Sequence, residues 1–366
     1  MSNTVTNRQI FFILFLTLTT VAIVQIPKTM AQSAGTGSWI TIIIVSLIFA
    51  VGAYALASLN NLFQGMVLFD YSKELVGKIG SWLLAVYYSL YFFTVLISLE
   101  HSLTNMMKAN FLHDTPQWFI LLATMPVCGY VAYKGVTNVA RLFEIYGVIF
   151  ILITILVHVI MLFEGKVNNI LPLIIPSEAG NYISAIKDAI FPFLGIEILT
   201  IIPLTEKNGK KAAKTAFLTL LGVGLLYILV VESSIMMVGI DEVSEYNYPM
   251  IFAIRLVQLP FLKVFERVDI LYLTVGFLGI IAGLSIVYLS IVENICRMLP
   301  KSNRLFIVLL VSLAAFMLGM VTQSFENIDK ILNETLTLSG IAAALFIPIV
   351  LLLVAKVKKH AKNKVS

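Results

Sequence analysis

The chain has 366 residues, of which 59% are hydrophobic and 12% are charged, and its mean hydropathy is +0.96. A soluble domain carries about 25% charged residues, so this composition excludes a soluble protein and indicates a polytopic membrane protein. The net charge of +5 does not indicate a nucleic-acid partner, because the basic residues follow the membrane topology derived below.

Ten apolar runs predict ten transmembrane helices, since a helix of about 20 apolar residues crosses the hydrocarbon core. The predicted spans are residues 8–27, 39–60, 81–107, 117–134, 141–163, 186–204, 215–237, 268–292, 305–323 and 335–355. They predict an all-α fold in which residues 1–366 form one transmembrane domain that ends in a basic tail, residues 356–366.

The distribution of lysine and arginine predicts the orientation of the chain. With the N-terminus in the cytoplasm, 17 of the 25 Lys and Arg residues lie on the cytoplasmic side. Because positive charge concentrates in cytoplasmic loops, both termini are expected to be cytoplasmic. The basic tail is expected to attract anionic lipids of the bilayer.

Two connections are informative, and one of them is predicted to carry a short helix that lies on the protein. Residues 61–80, between spans two and three, are polar and amphipathic and are predicted to lie on the inner side. Residues 241–267 form the longest outer loop, and their 249–257 portion is apolar enough for a short helix.

The sixth span carries Pro192, Gly195 and Pro203 inside an apolar run. A proline removes a helical hydrogen bond, and a broken helix at membrane depth is tolerated where it lines a cavity or is buried in protein. Residues 192–197 therefore predict a break at a binding site. The alternative is an ordinary proline kink in which Glu197 pairs with a neighbouring helix.

Spans one and six begin two halves of five helices, approximately residues 8–163 and 186–355. Because five is odd, these halves have opposite orientations, and interrupted helices at matching positions indicate a site near the bilayer midplane. Span one has a threonine-rich centre and Pro27, although it has no glycine before Met30. We therefore expect a 5+5 inverted repeat with broken helices 1 and 6.

Six polar residues recur on one face of the third span at spacings of three and four residues. They are Tyr87, Tyr91, Thr94, Ser98, His101 and Asn105. Polar groups face lipid only at a cost, so this seam is expected to point into the bundle. Tyr91 and Thr94 either line a binding site or hydrogen-bond between helices, whereas Asn105 is expected to do the latter.

Glu197 lies at the centre of span six, where an isolated carboxylate is costly. Its functional interpretations are proton coupling and contact with the amine of a zwitterion, and its structural interpretation is a bond to a neighbouring helix. In span eight, Gly279 and Gly283 form a GxxxG pair, which favours helix packing. Close approach to a ligand near Thr274 is the alternative, and Phe193 is either a pocket wall or part of the core.

Three segments resemble the B subunit of GerA-type spore germinant receptors, and the resemblance extends over essentially the whole chain. They are RQIFFILF at residues 8–15, FPFLGIEIL at 191–199 and FERVD at 265–269. The resemblance implies a LeuT-like fold, as in amino acid–polyamine–organocation permeases. It also implies nutrient sensing in the inner membrane of a bacterial endospore, in complex with an A subunit and a lipoprotein C subunit.

The first hypothesis is a receptor subunit that binds a small neutral amino acid, with backbone amides of helices 1 and 6 meeting its charged ends. A proton- or sodium-coupled amino acid permease is the alternative, and a scaffold with a vestigial cavity is the third. No catalytic set, metal-ligand cluster or phosphate loop is present in the sequence, so we expect no enzyme, metal or cofactor. The expected binding residues are Thr17, Thr20, Val21, Ala22, Tyr87, Tyr91, Thr94, Phe193, Leu194, Gly195, Glu197 and Thr274.

Overall fold

The computed structural model describes residues 5–209, 211–257, 268–322 and 328–365, and most of the FERVD segment lies outside these ranges. The regular structure of the described residues is helical. The α-helices are α1 (Asn7–Ala34), α2 (Ser38–Leu62), α3 (Leu68–Asn110), α4 (Gln117–Lys134), α5 (Val136–Glu164), α6 (Ala179–Ser184), α7 (Ile186–Ile190), α8 (Lys211–Val238), α9 (Ile240–Glu245), α10 (Pro249–Arg255), α11 (Val268–Met298), α12 (Arg304–Thr322), α13 (Ile328–Ile341) and α14 (Ile347–Val365).

Seven helical segments in the described ranges are long and apolar enough to cross a membrane. The chain is therefore an all-α, multi-pass membrane protein, as its composition predicts. The ten-span count, the pairing of inverted halves and the single domain over residues 1–366 stay predictions. The cytoplasmic location of both termini also stays a prediction.

The first helix is continuous, so the prediction of a broken helix 1 is wrong. A capping box formed by Thr6 and Gln9 begins α1, and the helix extends through Pro27 to Ala34. Residues 7–34 contain no glycine, and the Thr19 hydroxyl donates to the Phe15 carbonyl of the same helix at 2.7 Å. Its backbone amides at the centre are therefore used within the helix and are not available to a ligand.

The α1 helix lies at the centre of the bundle, in contact with α8, α5, α11 and the short helices α9 and α10. Its predicted cytoplasmic end is fixed to α5, because Arg8 forms a 2.7 Å ion pair with Glu144 and Gln9 donates to the same carboxylate. The sixth span therefore packs against a helix that its neighbours hold in place.

The α3 helix is two helices joined at Gly77, whose φ of +79° is in the left-handed region. The first of them, residues 68–76, forms where the amphipathic inner segment is predicted, and Asp70 within it pairs with Arg297 of α11. On the other side of the bundle, α10 forms within the predicted outer loop. Each half of the predicted repeat therefore carries a short helix between its second and third spans.

The tenth span is helical but irregular, because a π-helical turn, Ala342–Phe346, separates α13 from α14. Pro348 follows this turn and cannot donate a backbone hydrogen bond. The Tyr88 hydroxyl of α3 donates to the Ala343 carbonyl at 2.7 Å. A side chain from a neighbouring helix therefore satisfies a carbonyl in the irregular turn.

Candidate functional site

The sixth span is broken at the predicted position. The α7 helix ends at Ile190, a 3-10 turn covers Phe191–Phe193, and Leu194 is extended with a ψ of 139°. Gly195 has a φ of +136°, which a residue with a side chain rarely adopts, and a 3-10 segment then covers Ile196–Ile201. Proline and glycine therefore interrupt this span inside the bundle rather than bending it.

Gly195 also brings the break against α1. A Cβ atom at this position would lie 3.2 Å from both the Leu18 and the Thr17 side chains. The glycine is required twice, once by its backbone conformation and once by the close approach of the neighbouring helix.

The Glu197 carboxylate is held by the broken backbone and by α3. The Tyr91 hydroxyl donates to Oε1 at 2.7 Å, and the backbone N–H of Gly195 donates to Oε2 at 2.9 Å. The side chain is only 2% exposed. A carboxylate accepts hydrogen bonds at both oxygens, so Glu197 satisfies a backbone amide that the break would otherwise leave unpaired.

Tyr227 of α8 fastens the other side of the break. Its hydroxyl lies 2.6 Å from the Leu18 carbonyl of α1 and 2.8 Å from the Pro192 carbonyl. The single hydroxyl proton is donated to one of these carbonyls at a time. Its ring packs edge-on against Phe193 at 5.2 Å between centroids, so Phe193 faces α8 and α2.

A cavity of about 50 Å³ lies between α1, α3, α11, α13 and the break. Its lining residues are Thr17, Leu18, Tyr91, Val95, Ser98, Leu99, Phe191, Pro192, Leu194, Gly195, Glu197, Ile198, Gly283, Val287 and Leu336. Such a volume holds on the order of four water molecules. The walls are mainly apolar, and the polar groups are concentrated at Thr17, Ser98, Tyr91 and Glu197.

Two larger cavities adjoin the small one on the side predicted to be outer. One of about 590 Å³ is lined by amide and hydroxyl side chains together with Lys28, and it shares Ser98 with the small cavity. The other, of about 470 Å³, shares Phe191 and Pro192 with it. The small cavity therefore borders larger cavities on that side.

The structure brings five of the twelve expected binding residues together around the small cavity. They are Thr17, Tyr91, Leu194, Gly195 and Glu197. Thr17 contributes a buried hydroxyl oxygen that has no hydrogen-bond partner among the described residues. These residues come from three elements, so the fold assembles them from distant parts of the chain.

Most of the remaining expected residues lie away from this lining. Thr20 packs against Gly279 and Gly283 of α11, which supports the packing interpretation of that glycine pair, and Gly283 also lines the cavity. Ala22 is buried in α1 away from the cavity lining, and the side chain of Val21 lies outside the described part of the structure. The side-chain hydroxyl of Thr94 donates to a carbonyl of its own helix.

Thr274 and Tyr87 are also outside the lining. Thr274 is exposed and donates to the Ile270 carbonyl one turn earlier in α11. The Tyr87 hydroxyl donates to the Ser339 carbonyl at 2.6 Å and so joins α3 to α13. Of the polar seam on α3, Tyr91 and Ser98 reach the cavity, and Asn105 bonds to His101 near the outer cavity.

Sequence reasoning missed two polar residues that support the break. Tyr227 is one, and Asn60 of α2 is the other, because its amide donates to the Leu199 carbonyl at 2.6 Å and accepts from the Tyr71 hydroxyl at 2.8 Å. Each is a polar group near the end or centre of an apolar run, which is a signal that a search for membrane polar residues would detect. The apolar lining residues carry no such signal.

A family model described as spore germination protein matches residues 4–358 of the chain. Similar curated proteins are found in Bacillus subtilis (strain 168). Spore germination protein YndE is 22% identical over 98% of both chains. Spore germination protein A2 is 29% identical over 63% of both chains, and spore germination protein KB is 22% identical over 92% of this chain and 91% of the other.

Among solved structures, the chain is similar to Mhp1, described as a nucleobase-cation-symport-1 family transporter in a closed conformation with bromovinylhydantoin bound. The TM-score is 0.66 at 14% sequence identity, and the match covers 93% of this chain and 76% of that one. At this identity the likeness shows a common LeuT-like fold.

Proposed function

Because the chain belongs to the spore germination protein family, we propose that it is the nutrient-sensing membrane subunit of a spore germinant receptor. It binds a small neutral amino acid or a similar nutrient near the bilayer midplane. Binding favours one arrangement of the helices around the break and passes that bias to partner subunits.

The observation that carries this proposal is the small, mainly apolar cavity at the break of the sixth span. An amine of the ligand approaches Glu197, which keeps free acceptor capacity beside the donors Tyr91 and Gly195. The apolar body of the ligand lies against aliphatic side chains such as Leu18 and Leu336. A cavity of about 50 Å³ favours the smallest nutrients, or requires its walls to move outward as the ligand enters.

A thermal-shift screen of amino acids on the purified protein tests the proposal. A ligand that binds the folded state raises the midpoint of unfolding in a concentration-dependent manner. We expect stabilisation by at least one small neutral amino acid, and we expect Glu197→Gln to reduce it. A screen in which no nutrient stabilises the protein at any concentration supports the scaffold hypothesis instead.

A proton- or sodium-coupled permease is the second candidate, favoured by the larger outer cavities that adjoin the binding cavity. The two candidates differ in what the chain does alone. A permease accumulates labelled amino acid in proteoliposomes without any other protein. A receptor subunit binds the amino acid there without accumulating it.

We also propose that the chain acts in the spore inner membrane together with a receptor A subunit and a lipoprotein C subunit. The support is membership of the family and similarity over nearly the full length of spore germination protein YndE. Affinity purification from spore inner membranes tests this. Recovery of both partner subunits with the tagged chain is expected, and recovery of the chain alone would remove the proposed complex.

A further inference from the structure

The bundle buries a second glutamate, Glu100 of α3, whose surroundings differ from those of Glu197. Its side chain is 0% exposed, and neither carboxylate oxygen has a hydrogen-bond partner among the residues that the structure describes. The Oε2 atom lies against Gly319 of α12, where an added Cβ would be 2.8 Å away, and Leu121 of α4 is 3.1 Å from the same point. The carboxyl group is therefore enclosed by three helices and lacks the donors that Glu197 has.

The groups that face Glu100 from the neighbouring helices do not balance a negative charge. Among the described residues, the titratable ones are Cys128 of α4 and Tyr288 of α11, both of which are neutral at physiological pH in their ordinary forms. The Tyr288 hydroxyl is bonded to the Val308 carbonyl and the Ser312 hydroxyl, each at 2.5 Å. The α12 helix contributes no charged residue between positions 305 and 322.

An ionised carboxylate in such a place is shielded from bulk water and has no donor among the described residues to stabilise it, whereas the neutral acid costs far less to bury. A metal cation would need several oxygen ligands around it. The space beside the Glu100 Oε2 is bordered by Gly319, which has no side chain, and by a methyl group of Leu121, so neither of these residues supplies a side-chain oxygen ligand. A proton needs no such ligand shell.

We propose that Glu100 is a proton-binding site built between α3, α4 and α12. One proton from water adds to a carboxylate oxygen, the charge of the side chain changes from −1 to 0, and no electron is transferred. The proton stays bound while the three helices remain packed. Separation of α12 from α3 admits water to the carboxyl group and releases the proton, so the equilibrium between the two arrangements depends on pH.

Infrared spectroscopy of the protein in lipid nanodiscs tests the occupancy of this site. A protonated carboxyl group gives a C=O stretching band that shifts when water is exchanged for D2O. We expect Glu100→Gln to remove one component of this band at neutral pH. The matched control, Glu197→Gln, leaves that component in place because Glu197 already accepts two fixed donors. A band that is unchanged in Glu100→Gln overturns the proposal.

Substitution by an apolar residue of similar length provides a second test that does not depend on the band. Glu100→Met is expected to keep or raise the midpoint of thermal unfolding, because it removes a buried polar group without breaking a bond. Glu197→Met is expected to lower it, because Tyr91 and Gly195 lose their acceptor. A lowered midpoint in Glu100→Met, or stabilisation of the wild-type protein by sodium that Glu100→Met abolishes, shows that Glu100 binds a metal cation or water rather than a proton.

Discussion

The α1 helix and the sixth span lie against each other at the centre of the molecule, and their backbones differ. The α1 helix is continuous, whereas the sixth span is interrupted. The α1 helix continues past Pro27 and presents side chains, of which Thr17 and Leu18 reach the cavity. The sixth span breaks at Gly195 and presents backbone, which Glu197 and Tyr227 then satisfy. The two elements that form the site therefore offer a ligand different groups: α1 offers side chains, and the sixth span offers backbone.

This difference shows that a proline does not break a membrane helix without a second cause. Pro27 lies inside α1, where no glycine lies near it in the helix. Pro192 is followed by Gly195 and by Glu197. The Glu197 carboxylate accepts a hydrogen bond from the backbone N–H of Gly195, which the break leaves without a helical partner. A break in the bilayer needs both a residue that permits the turn and a partner for the exposed backbone.

The largest expected effect comes from filling the space at the break. Gly195→Val places a branched side chain at a φ of +136° and against Thr17 and Leu18 at 3.2 Å. We expect a loss of roughly 3 kcal/mol of stability and of all stabilisation by nutrients. Gly222→Ala in α8 is the matched control, because nothing lies within 4 Å of its added Cβ. If nutrients still stabilise Gly195→Val, the nutrient-binding site does not lie at the break.

The next effect concerns the support behind the break. Asn60→Ala leaves the Leu199 carbonyl without its donor and the buried Tyr71 hydroxyl without its acceptor. We expect a loss of about 2–3 kcal/mol, measured as a lower midpoint in denaturant titration. Asn138→Ala, which alters an exposed side chain of α5, should change stability by less than about 0.5 kcal/mol. Equal effects of the two substitutions would mean that the 3-10 segment does not depend on α2.

The break and the acid beside it are predictable from the sequence because the signals of Pro192, Gly195 and Glu197 are local. Pro192 and Gly195 act on their own backbone, and an acid such as Glu197 in an apolar run demands an explanation wherever it occurs. The continuity of α1 was not predictable in this way. A buried threonine such as Thr19 can donate to a carbonyl of its own helix, so a threonine-rich stretch is compatible with both a broken and an intact helix.

The rest of the site depends on how the helices are rotated about their axes. Thr17 and Thr20 are three residues apart in α1, yet Thr17 reaches the cavity and Thr20 packs against the glycine pair of α11. The apolar lining residues, such as Val95 and Leu336, are indistinguishable in sequence from lipid-facing ones. Only the packing of the helices separates these cases, and the periodicity of a single span does not predict that packing.

A smaller effect distinguishes the charged bond at the break from neutral bonds in the same helix. Tyr91→Phe removes the donor to Glu197, and a hydrogen bond to a charged group is worth about 1.5–3 kcal/mol. Tyr88→Phe removes a bond of the same length to the neutral Ala343 carbonyl, worth about 0.5–1.5 kcal/mol. We expect the midpoint of thermal unfolding to fall further in Tyr91→Phe. The reverse order would show that Glu197 does not rely on α3.

The smallest effect on stability is expected on the α1 side of the comparison. Thr17→Val removes a buried hydroxyl that has no hydrogen-bond partner in the described part of the chain, so stability should change by less than about 0.5 kcal/mol or rise slightly. The same hydroxyl lines the cavity, and loss of one hydrogen bond to a ligand weakens its affinity by roughly tenfold. Thr19→Val is the control, because Thr19 donates to its own helix and does not line the cavity. If nutrient affinity falls equally in both variants, α1 contributes to the site through its packing and not through the Thr17 side chain.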